Sequence, residues 1–187
     1  MPEGDVMKKV RKGFTLVELL IVIVIIGILA AAMLLSSGSA SASAEASNII
    51  SGMRSLKSSV IVFIANYKDF FDVSATAPGP GTVFSQAAAP VLVPSDPESR
   101  SVWQILQSHM DNPAHLARYA VVIGPDNTWW VRYTFPSGAV DSTEIQRKLQ
   151  PRASAMGLYA GMINKTAVTT TQGDYTAGNA DVYMIAF

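Results

Sequence analysis

The sequence predicts an α+β fold in which one long N-terminal helix packs on a small antiparallel sheet. Three observations lead there. A predominantly apolar run at residues 14–35 is long enough for a membrane helix. Residues 49–67 then repeat apolar side chains at steps of three and four, the period of an amphipathic helix. Beyond residue 115, short stretches alternate apolar and polar residues around turn-forming clusters, the period of strands.

The first run has 22 residues, rich in Ile, Val and Leu, with Gly27 as its weak helix former. At about 1.5 Å per residue it spans roughly 33 Å, enough to cross a hydrocarbon core. Lys8, Lys9, Arg11 and Lys12 precede it, and no Lys or Arg follows until Arg54. The positive-inside rule therefore places the N-terminus in the cytoplasm and the rest of the chain outside. A cleavable secretory signal is one rival, but its apolar region is usually only about 7–15 residues. An ordinary single-span anchor is another. It accounts for the length and the flanks but not for Glu18, a carboxylate within the run. Inserting one costs up to about 2.5–3.5 kcal/mol at mid-bilayer and less near the edge.

Gly13-Phe14-Thr15-Leu16-Val17-Glu18, after four basic residues and before the apolar helix, resembles the class III signal of type IV pilins and type II secretion pseudopilins. The resemblance covers residues 8–35; elsewhere it concerns architecture, and a long helix backed by three or four antiparallel strands is pilin-like. It implies that a membrane aspartyl peptidase cuts between Gly13 and Phe14 and methylates Phe14, so that Glu18 becomes the fifth residue of the mature chain. The implied partners are the prepilin peptidase/methyltransferase, an inner-membrane assembly platform, and identical or related pilin subunits. The implied location is the bacterial inner membrane, single-pass with a cytoplasmic N-terminus and an extracytoplasmic head, and afterwards a pilus or periplasmic pseudopilus.

Electrostatics agrees with that implication. Such a cut gives Phe14 a cationic amine, and a carboxylate in the first turns of a helix is favoured by the macrodipole. In a bundle of these helices, Glu18 of one subunit pairs with the Phe14 amine of its neighbour, an attraction strengthened by the low dielectric. The unpaired charge penalises a lone helix, and assembly removes the penalty.

The chain accordingly divides into a leader, residues 1–13; a transmembrane and fibre-core helix, 14–35; an amphipathic continuation, 36–70; and a globular head, 71–187. The whole chain holds 14 basic and 14 acidic residues, of which the leader has four and two. From Phe14 onward the count is 10 against 12, a net of −2. That balance argues against nucleic-acid binding through a basic surface, and no sequence-specific nucleic-acid partner is expected. There is no cysteine. Many type IV pilins close a C-terminal loop with a disulfide; here packing or an ion must hold that region. The absence shifts weight toward a pseudopilin or a cysteine-free pilin.

Residues 36–47, SSGSASASAEAS, read as a softer continuation of the helix around Gly38, or else as a flexible linker. Ile49, Met53, Leu56, Val60, Phe63 or Ile64, and Tyr67 then form a core stripe, giving one helix over residues 14–70. Residues 72–100 carry five prolines and read as a long irregular connection with a strand-like piece at Val91-Leu92-Val93. Asp96 or Ser99 is expected to cap a helix at about 99–110. Two strands follow, 118–124 and 128–135, joined by the hairpin signal Pro125-Asp126-Asn127. Tyr119, Val121 and Ile123, with Trp129, Val131, Tyr133 and Phe135, share the inner faces. Trp130 and Arg132 occupy the other face, either covered by the 72–100 connection or free for a partner. Asp141 caps a helix to about Leu149, with Glu144 completing a capping box. A further helix at 151–162, a weak strand at 166–171 and a last strand at 181–187 complete the head.

Chemistry beyond the N-terminus is sparse. His109 and His115 lie at no metal-ligand spacing and read as helix-end or loop residues. No nucleophile motif supports a hydrolase, so no enzymatic activity is expected. Asp174, Asn179 and Asp181, in a Gly-containing loop, are the candidate ligands for calcium; the same residues also suit a polar hairpin turn. The expected function is that of a structural subunit of a type IV pilus or pseudopilus. The rival of another class is a monomeric, single-span membrane-anchored extracytoplasmic binding or enzyme domain.

Overall fold

The computed structural model describes residues 13–72, 78–110, 116–137, 140–162 and 174–187. Two compact units divide the chain, Met1–Ala40 and Ser41–Phe187. One helix, α1 (Leu16–Asn66), contributes to both. It is continuous through the Ser/Ala stretch and Gly38, so that stretch continues the helix and is no linker. In the first unit every described side chain is exposed.

In the second unit, α1 buries Ala46, Ile49, Met53, Leu56, Val60 and Phe63, each at most 1% exposed. Their spacing of three and four residues puts one continuous stripe on the core. The sequence predicts this helix to residue 70, but α1 stops at Asn66 and a separate turn, α2 (Asp69–Asp72), follows. The break lets Phe70 fold back edge-on against Phe63, with ring centroids 5.7 Å apart.

The stripe packs on an antiparallel sheet of five strands: β1 (Val83–Phe84), β2 (Tyr119–Ile123), β3 (Trp129–Thr134), β4 (Leu158–Tyr159) and β5 (Asp181–Ile185). Their order is β1-β2-β3-β5-β4. The two central pairings match the predicted strands. Tyr119 opposes Tyr133, Val121 opposes Val131, and Ile123 opposes Trp129. Val131 and Tyr133 then oppose Met184 and Val182 of β5. These residues share the inner face with Phe84 and Leu158, all buried.

The edge strands β1 and β4 exceed the predicted three or four, because two residues are too few to show alternation. The strand-like piece at Val91-Leu92-Val93 is reduced to a single bridge between Leu92 and Ser101. The helix predicted at 151–162 is also corrected. A 3₁₀ turn (Gln150–Arg152) leads into α5 (Ala153–Met156), and Gly157 ends it in the left-handed region at φ 64°. A glycine tolerates that conformation without Cβ strain. Leu158 and Tyr159 then join the sheet. The helix α4 (Val140–Leu149) ends at the predicted residue but begins one residue before its expected cap, Asp141. The strand expected at 166–171 lies outside the described residues.

Aromatic rings fill the space between helix and sheet. Trp129 stacks on Phe84 at 5.3 Å and meets Phe63 at 6.0 Å. Tyr119, Tyr133, Phe135 and Tyr175 continue the chain of contacts at 5.0–6.2 Å. On the other face Trp130 is fully buried, so it is covered and no free contact surface. Its described ring partner is Tyr159, edge-on at 5.8 Å.

Gly52 is what lets Tyr119 approach α1. A Cβ at Gly52 would lie 2.7 Å from the Tyr119 ring carbon Cζ, inside contact distance. The Tyr119 hydroxyl sits against the Ile49 carbonyl at 3.5 Å, and burial raises its pKa.

The helix expected at 99–110 is α3 (Val102–Ser108), capped by Ser101 rather than Asp96 or Ser99. Ser101 Oγ accepts from the Gln104 backbone at 3.3 Å, and Gln104 Oε1 accepts from the Ser101 backbone at 2.8 Å. Asp96 instead organises the loop before it. Its carboxylate accepts from the backbone N–H of Glu98 and of Arg100, from the Arg100 guanidinium and from the Tyr67 hydroxyl, at 2.7–3.2 Å. The loop is thereby fastened to the end of α1. The Arg100 guanidinium first, then the Tyr67 hydroxyl, hold the Asp96 carboxyl well below the usual carboxylate range.

Two outcomes follow for stability. Gly52→Ala adds helix propensity worth up to about 1 kcal/mol, yet overpacking of this kind costs about 1–3 kcal/mol. The expected result of denaturant titration is a net loss, only partly relieved by adding Tyr119→Phe, which removes the hydroxyl but keeps the ring carbon Cζ. For Asp96 the folded pKa is depressed, so its stabilisation is complete above the unfolded value near about 4. It is lost only as pH falls through the lower folded value. The stability gap between wild type and Asp96→Asn is therefore expected to stay level from pH 7 to about 5 and to narrow in more acid solution. Thermal unfolding at each pH measures it.

Candidate functional site

At the start of α1 the backbone of residues 13–15 is not helical. Gly13 and Phe14 are both exposed, Phe14 at 87%, and nothing lies within 4 Å of the position a Cβ would take on Gly13. The peptide bond between them therefore lies in an open, non-helical segment, the form a peptidase can seat.

Thr15 caps the helix. Its Oγ1 accepts from the Glu18 backbone N–H at 3.3 Å. Glu18 Oε2 accepts in return from the Thr15 backbone N–H at 3.0 Å and from the Thr15 hydroxyl at 2.7 Å. This is a capping box, and Thr15-Leu16-Val17-Glu18 has its S/T-x-x-E pattern. The spacing of Thr15 and Glu18 in the sequence is thus a second explanation of Glu18, beside its charge. None of the three hydrogen bonds uses a residue before Thr15, so removing residues 1–13 leaves the box intact. The carboxylate of a lone helix is then satisfied by its own first turn, which reduces the expected penalty. Its negative charge remains beside Phe14.

After this box the exposed apolar side chains run without interruption from Leu19 to Ile26, each about half or more exposed, and resume at Ile28 and Leu29. The helix is long and apolar enough to cross a membrane.

The calcium candidates have other described partners. Asp181 Oδ1 accepts from Thr134 Oγ1 at 2.6 Å. The Asn179 amide donates to the backbone oxygen and the hydroxyl of Thr176, at 3.0 and 2.9 Å. Asp174 is exposed, and its backbone bridges to Tyr159. Among the described residues no three His, Cys, Asp or Glu side chains gather as a metal site. The loop is fastened from α4 and the turn after it. Gln146 Oε1 accepts from Gly178 N at 2.9 Å, Gln150 Oε1 accepts from Ala177 N at 3.2 Å, and Gln146 Nε2 donates to the Asn179 carbonyl at 3.2 Å. Buried Tyr175 anchors its start. These amide contacts were not legible, since a Gln at a helix end has no spacing that marks its target.

His109 closes the end of α3, with Nδ1 2.8 Å from the Ile105 carbonyl, and so carries its proton there. His115 lies outside the described residues.

Residues 8–34 match the family model of the prokaryotic N-terminal methylation motif, the signal of type IV pilins and pseudopilins. No curated protein and no solved structure matches the chain. The matched segment contains Gly13, Phe14, the Thr15–Glu18 box and almost all of the apolar run. The chain therefore carries a type IV pilin-like processing and methylation signal on a membrane-capable helix.

Proposed function

We propose that the chain is a structural subunit of a type IV pilus or type II secretion pseudopilus. The prepilin peptidase cuts it between Gly13 and Phe14 and methylates the new amine. The subunit waits in the bacterial inner membrane with its head extracytoplasmic, and an assembly platform then polymerises it with identical or related subunits through the N-terminal helix. No catalytic role is assigned to the head.

One observation carries this reading: Glu18 sits one turn from an open Gly13–Phe14 bond, at the head of an apolar helix whose described side chains are exposed within its own unit. A plain anchor uses a carboxylate there only to complete the capping box and has no use for its remaining charge. A subunit that must pack its helix against copies of itself does, because the acid is the directional partner for an amine that exists only after cleavage. The capping box suits both stages. It shields the carboxylate in the lone subunit while leaving it free to accept another donor, since a carboxylate offers about four acceptor positions.

Mass spectrometry of the chain from its membrane or fibre is expected to find a first residue of N-methylated Phe14. An unprocessed start, or a cut beyond residue 30, overturns the proposal. In Glu18→Ala, membrane insertion and cleavage are expected to persist while incorporation into fibres falls at least about tenfold, some 1.4 kcal/mol of lost pairing. Equal incorporation of mutant and wild type would overturn the amine pairing while leaving polymerisation standing.

A further inference from the structure

We infer that two separate patches of the head bind each other between copies of this chain, as a knob and a groove, an inference that rests on the polymerisation reading above. The knob is the loop at residues 91–101. Asp96 braces it from within, and Val93 N to Arg100 O and Val102 N to Val91 O close its base at 3.1 and 2.8 Å. On this rigid loop Leu92 is 59% exposed and the Glu98 side chain is 71% exposed. Glu98 meets only the Arg100 guanidinium, at 3.2 Å, among the described ion pairs.

The groove, about 500 Å³, lies between α1 and the β4 edge of the sheet. Arg54, Lys57 and Ile61 form its α1 wall, and Met156, Tyr159 and Ile185 the other. Ile61 is 45% exposed. Arg54 reaches Met156 Sδ at 2.7 Å, and no described carboxylate lies within ion-pair distance of Arg54 or Lys57. An apolar floor edged by two cations without a carboxylate complements an apolar side chain flanked by a carboxylate.

The knob does not fill its own groove, whose lining includes no residue of 91–101. The two patches therefore meet only between copies. Contact between unlike patches is heterologous, and it extends into an open filament where its rotation does not close a ring. That is the symmetry a fibre subunit needs.

The chain has no cysteine, so introduced thiols report cleanly. Full-length chain is expressed with its assembly system, and Leu92→Cys with Ile61→Cys is oxidised on the fibres. A ladder of disulfide-linked multimers is expected from the double variant, and monomer from each single variant. Arg54→Glu with Lys57→Glu is expected to lower the fibre-incorporated fraction at least about tenfold, and added Glu98→Lys to restore most of it. Membrane levels measured in parallel report on folding. Wild-type fibres without a ladder, or dimers from a single variant, overturn the knob and groove and leave the polymerisation reading standing. A wild-type chain that yields no fibre overturns both.

Discussion

An apolar helix surface exposed within its own unit is the constraint on which everything else depends. Residues 19–29 present Ile, Val and Leu all round the helix, with about half of most side chains exposed. Removing one such side chain from water is worth about 1.5–3 kcal/mol, so the surface must be covered by lipid or by other helices. Lipid covers it without regard to direction. Other helices do so with register, but apolar contacts alone set register weakly. On the proposed reading Glu18 supplies the missing direction, at the end where the macrodipole also favours a negative charge. The Thr15 capping box keeps that carboxylate in place at low cost, with three hydrogen bonds inside one turn.

The same helix serves a second solvent. From Ala46 to Phe63 its apolar side chains narrow from a full circumference to a stripe, and the sheet covers that stripe. The head has no cysteine for a disulfide, and among its described residues no three His, Cys, Asp or Glu side chains gather. Rings between α1 and the sheet, the Asp96 hub and the two glutamines on the 176–179 loop fasten it instead. Gly52 belongs to this scheme, because close approach of Tyr119 to the helix requires a residue without a Cβ. Asp96 and Gln146 are alike in kind: each satisfies backbone N–H groups of a loop that has no ladder of its own.

What was legible in the sequence was what repeats. The stripe on α1 and the inner faces of β2 and β3 follow periods of 3.6 and 2, the hairpin at Pro125-Asp126-Asn127 follows its turn residues, and the structure places them as read. Two-residue edge strands have no period to detect. The end of the helical piece after α4 was misplaced because Gly157 marks a stop only once its left-handed conformation is seen. Asp96 was read as a cap, since Asp before a helix usually is one, but Ser101 sits nearer the first turn and Gln104 completes its box. At the N-terminus, the residues Gly13, Phe14 and Glu18 were legible through the motif. The Thr15–Glu18 box is equally legible, from the S/T-x-x-E spacing alone.

A fibre built on the proposed scheme requires two kinds of contact, and the chain separates them. The N-terminal helices provide most of the buried area but little selectivity, because one Ile-Val-Leu surface resembles another. Selectivity must then come from charged and shaped features that are rigid before contact, since ordering a loop on binding costs about 0.5–1.5 kcal/mol for each immobilised side chain. The loop at 91–101 is rigid in this sense, closed at its base and braced by a buried carboxylate whose lone pairs are occupied. Its exposed Leu92 and Glu98 are therefore presented in fixed geometry. A head that varied these two features while keeping the helix would change which subunits it accepts without changing how tightly the fibre core packs.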